Sequence, residues 1–150
     1  MLAHQGAVRA WLRRLAGDPE EADELAQDTF VRAWEKLGTF DGRGRLKSWL
    51  FTLAYRAFVT RRRRASREAE VMDAYAAEQT EAIAGDEALV DLGPALGALN
   101  DAERNCLLLT HAWGMSVAEA GTVLDMPDGT VKSHVHRAKR RLAARHAEEA

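Results

Sequence analysis

Apolar residues recur every three or four positions along most of this chain, and no segment alternates apolar with polar residues as a half-buried strand does. That rhythm predicts an all-α fold, and cap signals divide it into helices. Ala7, Val8, Trp11, Leu12 and Leu15 mark a first short helix that stops at Gly17. Asp18-Pro19-Glu20-Glu21 opens a second. Asp18 suits the N-cap, Pro19 the first helical position, and the glutamates the positive end of the helix dipole. Ala22, Leu25, Ala26, Thr29, Phe30, Ala33, Trp34 and Leu37 share its apolar face, and Gly38 is expected to close it.

A loop with two glycines, Thr39 to Arg45, separates this helix from a third. Leu46, Trp49, Leu50, Leu53, Ala54 and Ala57 form the third helix's core stripe, while Phe51, Tyr55 and Phe58 lie partly off it. The helix runs into Arg61-Arg62-Arg63-Arg64. Residues from about 65 to 86 are rich in Ala and Glu with little periodicity, which predicts a linker with at most nascent helix. A flexible tether of about 20 residues spans roughly 25 Å, enough for flanking modules to engage separate sites.

The rhythm then restarts. Leu89, Leu92, Leu96 and Leu99 suggest one helix, with Pro94 shifting its start. Asn100 or Asp101 can cap another that buries Cys106, Leu107, Leu108, Leu109, Ala112 and Trp113 and ends at Gly114. Ser116 and Glu119 have capping-box spacing before Val117, Ala120, Val123 and Leu124. Asp125-Met126-Pro127-Asp128-Gly129 is a turn. Thr130 is expected to cap a final long helix whose Val131, Val135, Ala138 and Leu142 face inward.

Net charge is −2 over 150 residues, which taken alone suggests no nucleic-acid partner. The distribution contradicts the average. Met1 to Arg67 holds fourteen Lys/Arg against eight Asp/Glu; Glu68 to Asp101 holds nine acids and no Lys or Arg; six bases then fall between Lys132 and Arg145. Two basic patches thus flank an acidic segment. Cys106 is the single cysteine, so no internal disulfide forms and a reducing compartment is expected. The opening residues carry charge too early for a signal-peptide core, and no apolar run approaches the roughly 20 residues that span a bilayer. A cytoplasmic protein without membrane insertion is expected.

Ser116 to Arg141 has the form of a helix-turn-helix. Its second helix projects Lys132, Ser133, His136, Arg137 and Lys139, residue types that contact phosphates or base edges in a major groove. The alternative is a solvated basic face. On the third helix Trp49, Phe51, Tyr55 and Phe58 are interleaved with Arg43, Arg45, Lys47, Arg56 and the Arg61 to Arg64 run. Such a mixture can stack unpaired bases and hold backbone phosphates. Trp49 and Phe58 are expected in the core, and Phe51 and Tyr55 are the better candidates for exposure. The second helix's polar face carries no basic patch, so it is read as solvated or as facing a protein. No carboxylate pairs with a positioned His or Ser, one Cys with scattered His makes no zinc site, and there is no glycine-rich phosphate loop. No enzymatic activity, metal or cofactor is expected.

Three stretches together resemble the extracytoplasmic-function sigma factors. Asp18 to Trp34 (DPEEADELAQDTFVRAW) is similar to the family's core-polymerase-binding region 2.2. Phe40-Asp41-Gly42-Arg43 through Trp49-Leu50-Phe51 is similar to regions 2.3 and 2.4, which melt and read the −10 element. Pro127 to Ala138 (PDGTVKSHVHRA) is similar to region 4.2, which reads the −35 element. The resemblance implies two small helical domains, region 2 over 1–66 and region 4 over 87–150, joined by an acidic linker over 67–86.

It also implies roles. Asp23, Glu24, Gln27, Asp28, Phe30, Arg32 and Trp34 would lie in the polymerase-docking segment, with Phe30 and Trp34 serving mainly as core. The loop from Phe40 to Lys47 would form the pocket for a flipped −10 base. Phe40, Arg43, Arg45, Lys47, Trp49, Phe51, Tyr55, Arg56, Arg62 and Arg63 would meet the −10 region. Thr130, Lys132, Ser133, His136, Arg137, Lys139 and Arg140 would meet the −35 duplex. The implied partners are core RNA polymerase, promoter DNA in double-stranded and melted form, and an anti-sigma factor.

The chain departs from the family pattern in places. The opening part of region 2 is short, so its first helix or that helix's partner is expected to be incomplete. Arg56 stands where Asn is frequent, Asn100 where Pro is frequent, and His134 where Arg is frequent. The His134 change removes a permanent phosphate charge and would make binding weaker or mildly pH-dependent. The competing readings are a helix-turn-helix regulator acting without polymerase and a protein-binding decoy that supports no promoter-specific transcription.

Overall fold

The structure is a computed structural model that describes residues 2–40, 42, 45–72 and 96–149. Every regular element among these residues is helical. The chain divides into two compact units, Met1–Gly85 and Asp86–Ala150, each with its own core.

In the first unit a 3-10 turn (Leu2–His4) leads into α1 (Gln5–Ala16). Gly17 closes α1 in the left-handed region, at φ 75°, and its N–H donates to Arg13 O. Asp18 then accepts from the Glu20 N–H at 3.2 Å and caps α2 (Pro19–Lys36), with Pro19 in the first turn as expected. The end of α2 differs from expectation. Gly38 does not close the α-helix but lies inside a 3-10 turn, Leu37–Thr39, that tightens its last turn.

α3 (Leu46–Met72) continues past Arg67, where the linker was expected to begin. Its Ala, Arg and Glu residues are strong helix formers, which sustains the helix where apolar periodicity has already faded.

The three helices pack pairwise around Val8, Trp11, Leu12, Leu25, Leu50, Phe51 and Leu53. Ala22, Ala26, Ala33, Ala54 and Ala57 are also buried and let the helix axes approach closely. Trp11 is the centre of this core. Its ring stacks on Phe51 at 4.9 Å and on Tyr55 at 5.7 Å. Such contacts add about 0.5–1.5 kcal/mol each beyond their buried area. The buried hydroxyls of Thr29 and Thr52 donate back to Leu25 O (2.7 Å) and Ser48 O (2.8 Å), so neither enters the core unsatisfied.

The second unit is described from Leu96. Leu89, Leu92 and Pro94, part of the expected preceding helix, lie outside the described residues; Leu96 and Leu99 are buried. Asn100 is the residue that caps α4 (Asp101–Leu107), in a reciprocal capping box with Glu103. The helix then widens into a π turn, Leu108–Ala112, before Gly114 turns the chain at φ 66°. Cys106, Leu107, Leu108, Leu109 and Trp113 are buried as predicted, whereas Ala112 is exposed on the outer side of that turn.

Ser116 and Glu119 form the predicted capping box of α5 (Val117–Leu124). The last helix, α6 (Asp128–Glu149), starts earlier than expected. Pro127 O accepts the N–H groups of Thr130 and Val131 at 3.0 and 3.1 Å, so Thr130 lies in the first turn and is not the cap. Pro127 pre-sets the entry angle and Asp128 complements the positive helix end. Gly121 makes the α5 to α6 corner possible. A Cβ there would lie 2.6 Å from Met126 O, whose own N–H donates to Gly121 O at 2.9 Å.

Candidate polymerase and nucleic-acid interfaces

On α6 the buried residues Val131, Val135 and Ala138 define one side, and the opposite side carries charge. Thr130, Lys132, Ser133, His136, Arg137, Lys139 and Arg140 are all exposed. Ser133 Oγ donates to Gly129 O at 3.0 Å, which fixes its rotamer in the first turns. Among the described residues no carboxylate pairs with Lys132, Arg137, Lys139 or Arg140. This surface is thus a row of cations with their charge unneutralised. His134, two residues from His136, turns the other way: it is half-buried and its Nδ1 is enclosed without a hydrogen bond.

His111, to which the sequence assigned no role, lies on the π turn near Lys139. Burial first, and Lys139 second, hold its imidazole below the ordinary histidine pKa. Beneath the same unit, burial pushes the Cys106 thiol up to about 11, so it behaves as a packing residue and not a nucleophile.

The aromatic and cationic residues of α3 fare differently. Phe51 was expected at the surface and is fully buried. α3 packs on both α1 and α2, so its buried arc is wider than one stripe and takes in Phe51. Tyr55 is half-buried in the same stack, and Phe58 is half-buried beside it at 6.3 Å. Trp49 was expected in the core but is half-exposed, with its ring 5.3 Å from Phe40.

Arg62 donates to Ala16 O at 2.9 Å, lies 5.1 Å over the Phe58 ring and approaches Glu21 at 4.0 Å. It therefore closes the C-terminal end of α1. Arg56 and Arg63 are exposed and follow Trp49 at a heptad interval, so the three share a face of α3. Arg45 is exposed and Lys47 half-buried at the same helix's start; burial, then Arg45, lowers the Lys47 pKa. His4 lies near this end in its neutral form: burial, then Lys47, then the N-terminus lower its pKa. Arg43 lies outside the described residues.

The polymerase-docking candidates on α2 divide into two groups. Asp23 pairs with Arg9 at 3.3 Å and Glu24 with Arg61 at 3.0 Å, while Asp28 and Arg32 are exposed. Gln27, Phe30 and Trp34 line a groove of about 920 Å³, together with Gln5, Val31 and Leu37. Trp34, expected mainly as core, is 72% exposed, and Val31 is 57% exposed; Phe30 is half-buried. The buried stripe of α2 follows Ala22, Leu25, Ala26, Thr29 and Ala33, and Phe30 and Trp34 drift off its edge. The sequence signal that was missed is Val31, an apolar residue on the face otherwise assigned to polar side chains.

Among the described residues no group of three or more His, Cys, Asp or Glu side chains could hold a metal, and no helix is long and apolar enough to cross a membrane.

Comparison with known proteins gives these surfaces a family. Residues 1–68 match sigma-70 region 2, and residues 90–142 match sigma-70 region 4. The chain is 32% identical over 147 residues to the ECF RNA polymerase sigma factor EcfG of Rhodopseudomonas palustris, covering 96% of this chain and 81% of that protein. It is 27% identical to SigW of Bacillus subtilis over 86% of this chain and 77% of that one. Among solved structures, it resembles the sigma factor RpoE of Bartonella quintana in complex with the anti-sigma factor NepR. The identity is 34% and the TM-score 0.81, over 94% of this chain and 90% of that one. CnrH in complex with the cytosolic domain of CnrY is similar at 28% identity and TM-score 0.65, over 99% and 86% of the two chains. Two helical units in this order, with an unneutralised basic helix in the second, agree with these matches: the chain belongs to the extracytoplasmic-function sigma factors of bacterial RNA polymerase.

Proposed function

We propose that this chain binds core RNA polymerase through α2, opens and holds the −10 strand against the start and outer face of α3, and reads the −35 duplex with α6. The observation that carries the proposal is the contrast between surfaces: α6 keeps four cations without a carboxylate partner among the described residues, while α2 presents an apolar groove. Cations left free attract phosphates, and an exposed Trp beside Phe and Val is the composition of a protein-binding hot spot.

In this scheme Phe40, Arg45, Lys47, Trp49, Arg56 and Arg63 supply the −10 surface. Phe51, Tyr55 and Arg62 act by holding α3 in place. Gln27, Phe30 and Trp34 form the polymerase contact, flanked by Asp28 and Arg32. Each DNA contact is weak alone, and polymerase holds both units at once, so two weak contacts become one avid one. The chain works as a regulatory subunit in the cytoplasm, alongside polymerase, and catalyses no reaction itself. Because its relatives RpoE and CnrH are seen with NepR and CnrY, an anti-sigma partner is proposed here too.

Reconstituted transcription with core polymerase across a promoter library tests the whole scheme. The expected result is initiation from a restricted set of promoters. Tight duplex binding by the chain without polymerase, and no initiation with it, would favour an ordinary helix-turn-helix regulator.

A further inference from the structure

Glu103 is a charged side chain with 0% exposure at the start of α4. One carboxylate oxygen, Oε1, accepts the Asn100 N–H at 3.1 Å, and the Glu103 N–H donates to Asn100 Oδ1 at 2.8 Å. Those bonds complete the cap and leave Oε2 enclosed without a hydrogen bond. What faces Oε2 is Nε of Arg141, at 3.5 Å. A carboxylate oxygen withdrawn from water with no counter-charge is strongly unfavourable, so a capping box alone does not require this degree of burial. Arg141 is on α6, immediately beyond the DNA-facing set that ends at Arg140, and its side chain is 55% exposed. α4 and α6 pack against each other along this region.

Besides its buried stripe of Val131, Val135 and Ala138, two features bear on how α6 is held. Its N-terminal end is held by the Gly121 to Pro127 corner, and its later turns by the link to α4. The cations between Lys132 and Arg140 lie between those points.

We infer that Glu103 and Arg141 are a positioning pair that sets the angle at which α6 is presented to duplex DNA, with Arg141 acting through Glu103 and not through a phosphate. The inference rests on the proposed −35 reading. It separates Arg141 from its neighbours Arg137 and Arg140, which the same basic run would otherwise place in one class. Its mechanism is geometric. Without the pair α6 keeps its DNA-facing charges but loses one of the contacts that set its angle, so affinity falls while the number of phosphates neutralised stays the same.

The test uses full-length chain in holoenzyme with core polymerase, and a duplex promoter selected by that holoenzyme from a random library. Glu103→Gln, Arg141→Ala, Arg141→Lys and the Glu103→Gln/Arg141→Ala double variant are compared over a salt series. Each of the first two should weaken binding about threefold to tenfold, and the double variant should be no weaker than the worse single, because paired residues are not additive. The salt slope should be unchanged throughout, and Arg141→Lys should recover part of the loss.

A slope lowered by about one unit in Arg141→Ala, with Glu103→Gln binding normally, would make Arg141 a phosphate contact and overturn the pairing. So would single effects that multiply in the double variant. Affinity losses that only track the unfolded fraction in a thermal melt would also overturn it, by reducing the pair to general stability. Failure of the unaltered holoenzyme to select any promoter would instead overturn the −35 reading, and the pair's DNA role with it.

Discussion

α3 and α6 are both basic amphipathic helices, yet they treat their functional-looking side chains in opposite ways. On α3 the fold takes up much of the aromatic and cationic set: Phe51 and Tyr55 stack on Trp11, Arg62 closes α1, and Arg61 pairs with Glu24. On α6 the cations from Lys132 to Arg140 have no carboxylate partner among the described residues, while Arg141 turns back to Glu103 in the body of its unit. The cause is neighbourhood. α3 is packed by two helices, one of which carries Glu21, Asp23 and Glu24 on its flank, whereas among the described residues no carboxylate pairs with the cations on the outer side of α6. An aromatic-cationic run is therefore weak evidence of a binding surface until its neighbours are known. A basic face opposite a narrow buried stripe is stronger evidence.

The largest expected effect tests the claim that Phe51 is structural. Phe51→Ala should remove about 3–5 kcal/mol from unfolding of the first unit. Urea denaturation followed by tryptophan fluorescence measures this, and a near-neutral result would return Phe51 to the candidate base-stacking set. Trp34→Ala comes next. It should weaken binding to core polymerase by about 2 kcal/mol or more, roughly thirtyfold, with stability nearly unchanged. An equal loss of stability and affinity in a titration and a melt would mean that Trp34 is packed, contrary to its exposure.

Gly121→Ala should destabilise the second unit by about 1–3 kcal/mol, because its Cβ meets Met126 O within 2.6 Å. Calorimetry reads this directly, and an unchanged transition would show that the corner relaxes freely. Arg62→Ala should cost about 1–2 kcal/mol of stability through the lost charge-assisted bond to Ala16 O. If it leaves stability intact while impairing promoter melting, scored by permanganate footprinting, Arg62 belongs with the −10 contacts after all. The smallest stability effect should be Arg137→Ala, within about 0.5 kcal/mol, while the salt slope of −35 binding falls by about one unit. An unchanged slope would remove Arg137 from the phosphate contacts and blur the difference between the two helices.

The sites were legible to different depths for the same reason. Every proposed −35 residue on α6 is exposed, because a stripe at Val131, Val135 and Ala138 leaves the rest of a helix to solvent. The α2 groove was only half legible. Spacing places Phe30 and Trp34 with the core and Val31 on the polar face, since periodicity cannot say where a buried stripe ends and an exposed apolar edge begins. Spacing says nothing of the burial of Glu103, which follows from packing against α6, far away in sequence.

By itself the sequence determined which stretches are helical, most of their starting caps and the division of charge. Asp18, Asn100 and Ser116 cap as side chains close to the backbone groups they satisfy, and Gly17 turns the chain because few residues but glycine adopt its conformation readily. These are local interactions, written in neighbouring residues. Only the tertiary structure decided that Phe51 is enclosed and Trp34 open, that Arg62 is a brace and Arg137 exposed, and that Glu103 meets Arg141. Burial and charge pairing are settled by what a distant segment brings alongside, and spacing along one helix carries no record of that.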